Sequence, residues 1–219
     1  MVAVLVTGSV TAAVPPGTDP AVFGRALVED TADLVSGLEM VTPAVAVSPA
    51  GEAALAGRGV EDLVWPGTRV IRLGGAAEQG LVARTLDALA DLGASQAAVL
   101  AADTPDLPPL LIGKLFRALG SERRAELAIC PAEGGGLVAL AAWLPKPGWL
   151  AIADTGPAAE LDVGDIAERL RGAAPGPGAV RNGPGWHRMR SPADLARLDP
   201  GLEGWDATRE LLFERRPRP

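Results

Sequence analysis

Short apolar runs alternate along this chain with longer stretches whose apolar residues recur every three or four positions. VAVLVT (2–7) is apolar and β-branched, which predicts a buried strand, and VTPAVAVSP (41–49), TRVIRL (68–73), QAAVLAAD (96–103), AELAICP (125–131) and LVALAAWL (137–144) predict five more. Between them, residues 21–38 carry Phe23, Leu27, Leu34 and Leu38 at mostly helical spacing. Asp19-Pro20 supplies the cap and first-turn proline of that helix. Residues 50–63 predict one or two small helices. In 78–93, Leu81, Thr85, Leu89 and Leu92 form a helical stripe that Val82 and Leu86 broaden, with Gly93 as terminator. Residues 108–120 predict a helix running from proline to glycine.

Strand and helix alternate through the first two-thirds, which predicts an α/β fold with a largely parallel sheet and helices on both faces. The last third is less regular. PGPGAVRNGPGW (175–186) predicts a loop or weak strand, SPADLARL (191–198) a short helix capped by Ser191, and WDATRELLFERR (205–216) a final helix. With no internal repeat or clear linker, residues 1–215 are expected to form a single domain, followed by a flexible tail at 216–219.

The composition, 48% hydrophobic and 21% charged, is that of an ordinary globular protein. A formal net charge of −7 argues against nucleic acid as a partner, while leaving room for a small nucleotide. No run is apolar and long enough to span a membrane, and MVAVLVTG lacks the basic start of a signal peptide. The single cysteine, Cys130, lies in a predicted strand and reads as a buried structural thiol, which fits a reducing, cytoplasmic setting. The only histidine, His187, excludes a cage of several histidines around a metal. The hydrophobic content permits a homodimer.

Four segments bear on candidate chemistry. Gly8 follows the first strand, but the G-x-G-x-x-G dinucleotide pattern is incomplete, and no Walker lysine is present. Asp103 ends the fourth strand in AADTPDLP, where parallel sheets bind ligands and where a carboxylate suits Mg²⁺ or Mn²⁺. A structural role for Asp103 or Asp106, as helix cap or loop acceptor, is the alternative. The glycines of PAEGGGL (131–137) permit either close ligand approach or a tight hairpin. In GWHRMRSP (185–192), strand alternation puts Trp186, Arg188 and Arg190 on one face and His187 and Met189 on the other. The arginines would face phosphate, or form a solvated edge.

These pieces, in this order, resemble small bacterial proteins of the GT-A (nucleotide-diphospho-sugar transferase) fold, relatives of molybdenum-cofactor and phospholactate guanylyltransferases. The resemblance runs from about residue 2 to residue 198. It is carried by AVFGRALVEDTADLV, EQGLVARTLDAL, CPAEGGGLVAL, RMRSPADLARL and, most specifically, VLAADTPDLPPLLIGKLFRAL. It implies a Rossmann-like three-layer sandwich with a mixed, mostly parallel sheet. It also implies a metal-dependent nucleotidyltransferase or glycosyltransferase, acting on an NTP or sugar nucleotide and a small-molecule acceptor. By position, Asp103 would be the catalytic metal ligand. Gly8, Gln79, Arg84 and Asp103 would lie at the nucleotide, and Glu133, Gly134, Gly135, Gly136, Arg188 and Arg190 at the acceptor. The sequence departs from the family in its charges. AVPPGTDP lacks the usual Lys and Arg, and the acidic pair before the final Thr-Pro appears as Arg188 and Arg190. A non-catalytic binding or scaffolding member of the family is therefore the alternative reading.

Overall fold

The structure, a computed structural model, describes residues 1–75, 80–120, 125–152 and 160–214. The seven strands are β1 (Val2–Val6), β2 (Pro43–Val47), β3 (Arg69–Arg72), β4 (Gln96–Ala101), β5 (Leu127–Pro131), β6 (Leu137–Trp143) and β7 (Val180–Asn182). They form one sheet in the order β3-β2-β1-β4-β6-β5-β7. Only β6 runs against its neighbours β4 and β5; every other adjacent pair is parallel. The expected mixed, mostly parallel sheet is present, and the weak strand within 175–186 is its edge strand β7.

Period-two alternation distributes the core. Val2, Val4 and Val6 of β1, with Ala98 and Leu100 of β4, face one side, while Ala3 and Leu5, with Ala97, Val99 and Ala101, face the other. The first side is covered by α1 (Pro20–Ser36) and α4 (Pro109–Leu119) through Val28, Ala32, Val35, Ile112, Leu115 and Leu119. Between them in sequence, the short α2 (Pro49–Ala54) follows β2. The second side is covered by α3 (Leu81–Asp91), α5 (Gly148–Ile152) and α6 (Ile166–Ala173), through Leu86, Leu89, Leu150, Ile166 and Leu170. That makes three layers. Leu92, expected on the buried stripe of α3, lies past the helix end and is exposed.

The helix starts follow capping chemistry. Asp19 Oδ1 accepts from the Ala21 and Val22 amides at 2.8 and 3.0 Å, and Pro20 opens α1. The Ser191 amide and hydroxyl both reach Asp194, closing a capping box on a 3₁₀ helix, Pro192–Arg197, rather than on an α-helix. The final helix splits into α7 (Asp206–Arg209) and a π turn, Glu210–Glu214. A third apolar cluster joins this terminal segment to α1 through Phe23, Leu27, Met189, Leu198 and Trp205. No helix among the described residues is long and apolar enough to cross a membrane.

Candidate functional site

Strands are added from β1 through β2 to β3 on one side, and β4 then lies on the other side of β1. The carboxyl ends of β1 and β4 therefore lie side by side where the strand order reverses, the place at which open α/β sheets form a ligand crevice. On the β1 side the chain turns at once into a 3₁₀ helix, Gly8–Thr11. Thr7 caps it, its Oγ1 accepting from the Ser9 amide at 3.3 Å and lying 2.8 Å from Ser9 Oγ. Thr11 Oγ1 donates to the Gly8 carbonyl at 3.1 Å. Hydroxyls and amides gather at this strand end. Its nearest basic residue along the chain, Arg25, donates to the Leu55 carbonyl at 3.2 Å. Gly51 of α2 lies so close to β1 that an added Cβ would stand 2.3 Å from the Val6 oxygen. Nearby in sequence, Arg84 donates to the Gly74 carbonyl. Gln79 lies outside the described residues.

The β4 side is set by one buried cation. Asp103 is fully buried, and its carboxylate is gripped by Arg188, with Nε donating to Oδ1 at 2.7 Å and Nη2 to Oδ2 at 2.9 Å. Arg188 Nη2 also meets Asp162 Oδ1 at 2.6 Å, and Nη1 donates to the Leu137 and Leu161 carbonyls at 3.0 and 3.1 Å. All five guanidinium N–H groups are thereby used. Burial would lower the Arg188 pKa, but Asp103 and Asp162 outweigh it and hold the guanidinium above its ordinary value. The backbone presents Arg188 in this way because the segment after Pro184 follows the end of β5. Trp186 bridges Ala132, and the Met189 amide donates to the Asp103 carbonyl at 2.9 Å.

Arg190 follows Arg188 onto the same side, as alternation predicts. Its Nη1 donates to the Gly135 carbonyl at 2.7 Å, Nη2 to the Leu161 carbonyl at 3.2 Å, and Nη2 lies 3.7 Å from Asp162. Burial first, and then the charge of Arg188, lower its pKa. Trp186 departs from the expected face. It stacks on His187, and both rings bond Asp106, with Trp186 Nε1 donating at 3.3 Å and His187 Nε2 lying 3.0 Å from each carboxylate oxygen. Asp106 also accepts from the Asp199 amide at 3.3 Å, so it is a buried loop acceptor and not the cap of α4.

The glycines are occupied by the protein itself. Gly134, Gly135 and Gly136 all take positive φ, and a Cβ on Gly136 would stand 2.5 Å from both Arg190 Nη2 and the Leu161 oxygen. The close approach they permit is to Arg190 and to Gly164. Glu133, the other acid expected near the acceptor, is exposed and pairs with Arg197 at 2.7 Å.

These residues do not fit Mg²⁺ or Mn²⁺ held by Asp103. Such ions need several oxygen ligands in an open shell. Both Asp103 oxygens are engaged by a buried cation, and no group of three or more His, Cys, Asp or Glu among the described residues is placed to hold a metal. A groove of about 960 Å³ runs between α1 and the α7 segment, and no crevice residue named above except Arg25 lines it.

The sheet order defines the fold class, which is GT-A-like. No protein-family model matches the chain, and no curated protein matches it. Among solved structures, it is similar to a protein assigned as a nucleotide-diphospho-sugar transferase from Desulfovibrio desulfuricans G20. That match has 16% identity and a TM-score of 0.66, over 95% of this chain and 93% of the other. The 4-diphosphocytidyl-2C-methyl-D-erythritol synthase of Anaerococcus prevotii matches with 14% identity and a TM-score of 0.59, over 96% and 95%. Glucosyl-3-phosphoglycerate synthase from Mycobacterium tuberculosis, solved with Mn²⁺, UDP and glucosyl-3-phosphoglycerate, matches with 15% identity and a TM-score of 0.55, over 89% of this chain and 74% of its own.

Proposed function

We propose that this protein binds a nucleotide or sugar nucleotide in the crevice between the ends of β1 and β4, and that it is a divergent nucleotidyl- or glycosyltransferase that does not use a divalent metal at Asp103. The observation that carries this reading is the chain-long match to transferase folds, with Gly8 and Asp103 following the adjacent strands β1 and β4 at their carboxyl ends. The charges favour a sugar nucleotide over an NTP. A diphosphate esterified at both ends carries less charge than a free triphosphate, and the β1 wall offers hydroxyls and amides in place of Lys and Arg. Ligand positioning would come from Ser9, Thr11 and backbone amides, with the acceptor on the Arg190 side.

A specific observation also favours the second reading, a non-catalytic binding or scaffolding member. Asp103, Asp162, Arg188 and Arg190 sum to no net charge, so they supply no excess positive charge for a phosphate leaving group. Thermal unfolding with a panel of sugar nucleotides and NTPs, each with and without Mg²⁺ or Mn²⁺, separates the readings. A ligand near 100 times its Kd should add about 2.7 kcal/mol of stability. Nucleoside-diphosphate sugars are expected to raise Tm with or without metal. A panel without any shift would leave the scaffold reading.

A further inference from the structure

We infer that Arg188 is a built-in cation occupying an all-oxygen cage that would otherwise take a divalent metal, so that the native site is closed to metal and removing the guanidinium opens it. Five oxygens converge on this one side chain: both carboxylate oxygens of Asp103, one of Asp162, and the carbonyls of Leu137 and Leu161. None of these contacts is to nitrogen or sulfur, so the set is that of a hard cation. The guanidinium is 2% exposed as a side chain and every N–H is consumed, so it has no donor left for a ligand phosphate. Its remaining role is to neutralise two carboxylates, the fully buried Asp103 and the half-exposed Asp162. Without it, those carboxylates and carbonyls would face one another around a cavity the size of the lost side chain, with only Arg190 to offset the negative charge. Ions that tolerate irregular oxygen shells, Mn²⁺ and Ca²⁺, suit such a cage better than Mg²⁺, which demands a near-ideal octahedron.

The test uses Mn²⁺ alone, read from the decrease of the free-ion electron paramagnetic resonance signal with full-length protein. No nucleotide is present, so the result is independent of the ligand proposed above. Wild type is expected to bind no stoichiometric Mn²⁺. Arg188→Ala is expected to take up about one equivalent, with a rise in Tm. Arg188→Ala combined with Asp103→Asn is expected to lose that uptake, and Arg188→Lys, which keeps a cation in the cage, is expected not to gain it. Should Arg188→Ala be unfolded without metal, Mn²⁺ added during refolding is expected to restore the native far-UV dichroism. Stoichiometric Mn²⁺ on wild type that Asp103→Asn abolishes would overturn the inference. So would an Arg188→Ala protein that folds without binding Mn²⁺, or one that stays unfolded with it.

Discussion

At the scale of single residues, the molecule is governed by what burial does to charge and to reactive groups. Removing Arg188 leaves a fully buried carboxylate unpaired, and breaking a buried pair from one side costs about 3–5 kcal/mol. Arg188→Ala is therefore expected to lose that much stability in urea unfolding without metal, and Arg188→Met with Asp103→Leu to recover most of it. Cys130 illustrates burial acting on a neutral group. Its thiol lies 2.7 Å from the Pro184 carbonyl, and burial pushes its pKa up to about 12. It is expected to resist DTNB at pH 8 in the native protein and to react only on unfolding. Asp103 was legible in the sequence as a strand-end acid at the rim of a crevice. Its partner stands 85 positions away, and no local rule pairs two such residues. The available signal was chemical: an acidic pair expected before Thr-Pro had become Arg188 and Arg190, and a base where an acid belongs seeks the remaining acid.

At the scale of elements, the strands were legible because an apolar run buried on both faces needs no partner information, and the helix starts because Asp19 and Ser191 cap locally. The shape of segment 185–190 was not. Alternation holds from Arg188 to Arg190, but Trp186 turns to Asp106 because only one bridge, to Ala132, fixes the backbone there. Packing between elements adds two expectations. Gly51 brings α2 against the end of β1, where a Cβ would clash with the Val6 carbonyl, so Gly51→Ala is expected to cost about 1–3 kcal/mol in urea unfolding. Asp30 of α1 accepts from the Ala207 and Thr208 amides at 2.9 and 2.8 Å, which pins α7 to α1. Burial raises its pKa from 3.8 to about 6. Between these values the folded chain holds a proton that the unfolded chain releases, so stability falls as pH rises from about 4 to 6, by on the order of 3 kcal/mol. In urea midpoints measured across that range, Asp30→Asn should flatten the slope, while its amide nitrogen, which cannot accept, gives up one of the two bonds to α7.

At the scale of the whole molecule, a mixed seven-stranded sheet sets the ends of β1 and β4 side by side where the strand order reverses, the position at which open α/β sheets take their ligands. The same framework that aligns with a Mn²⁺- and UDP-bound synthase carries at Asp103 an arginine whose every donor is internal. The nucleotide ligand proposed above would sit at this place, and the charges argue against a divalent metal at Asp103. Isothermal titration of the wild-type protein with nucleoside-diphosphate sugars, once in EDTA and once with Mn²⁺, tests both halves together. The account predicts saturable binding of equal affinity in the two buffers. Binding that appears only with Mn²⁺, or no binding in either buffer, would contradict it.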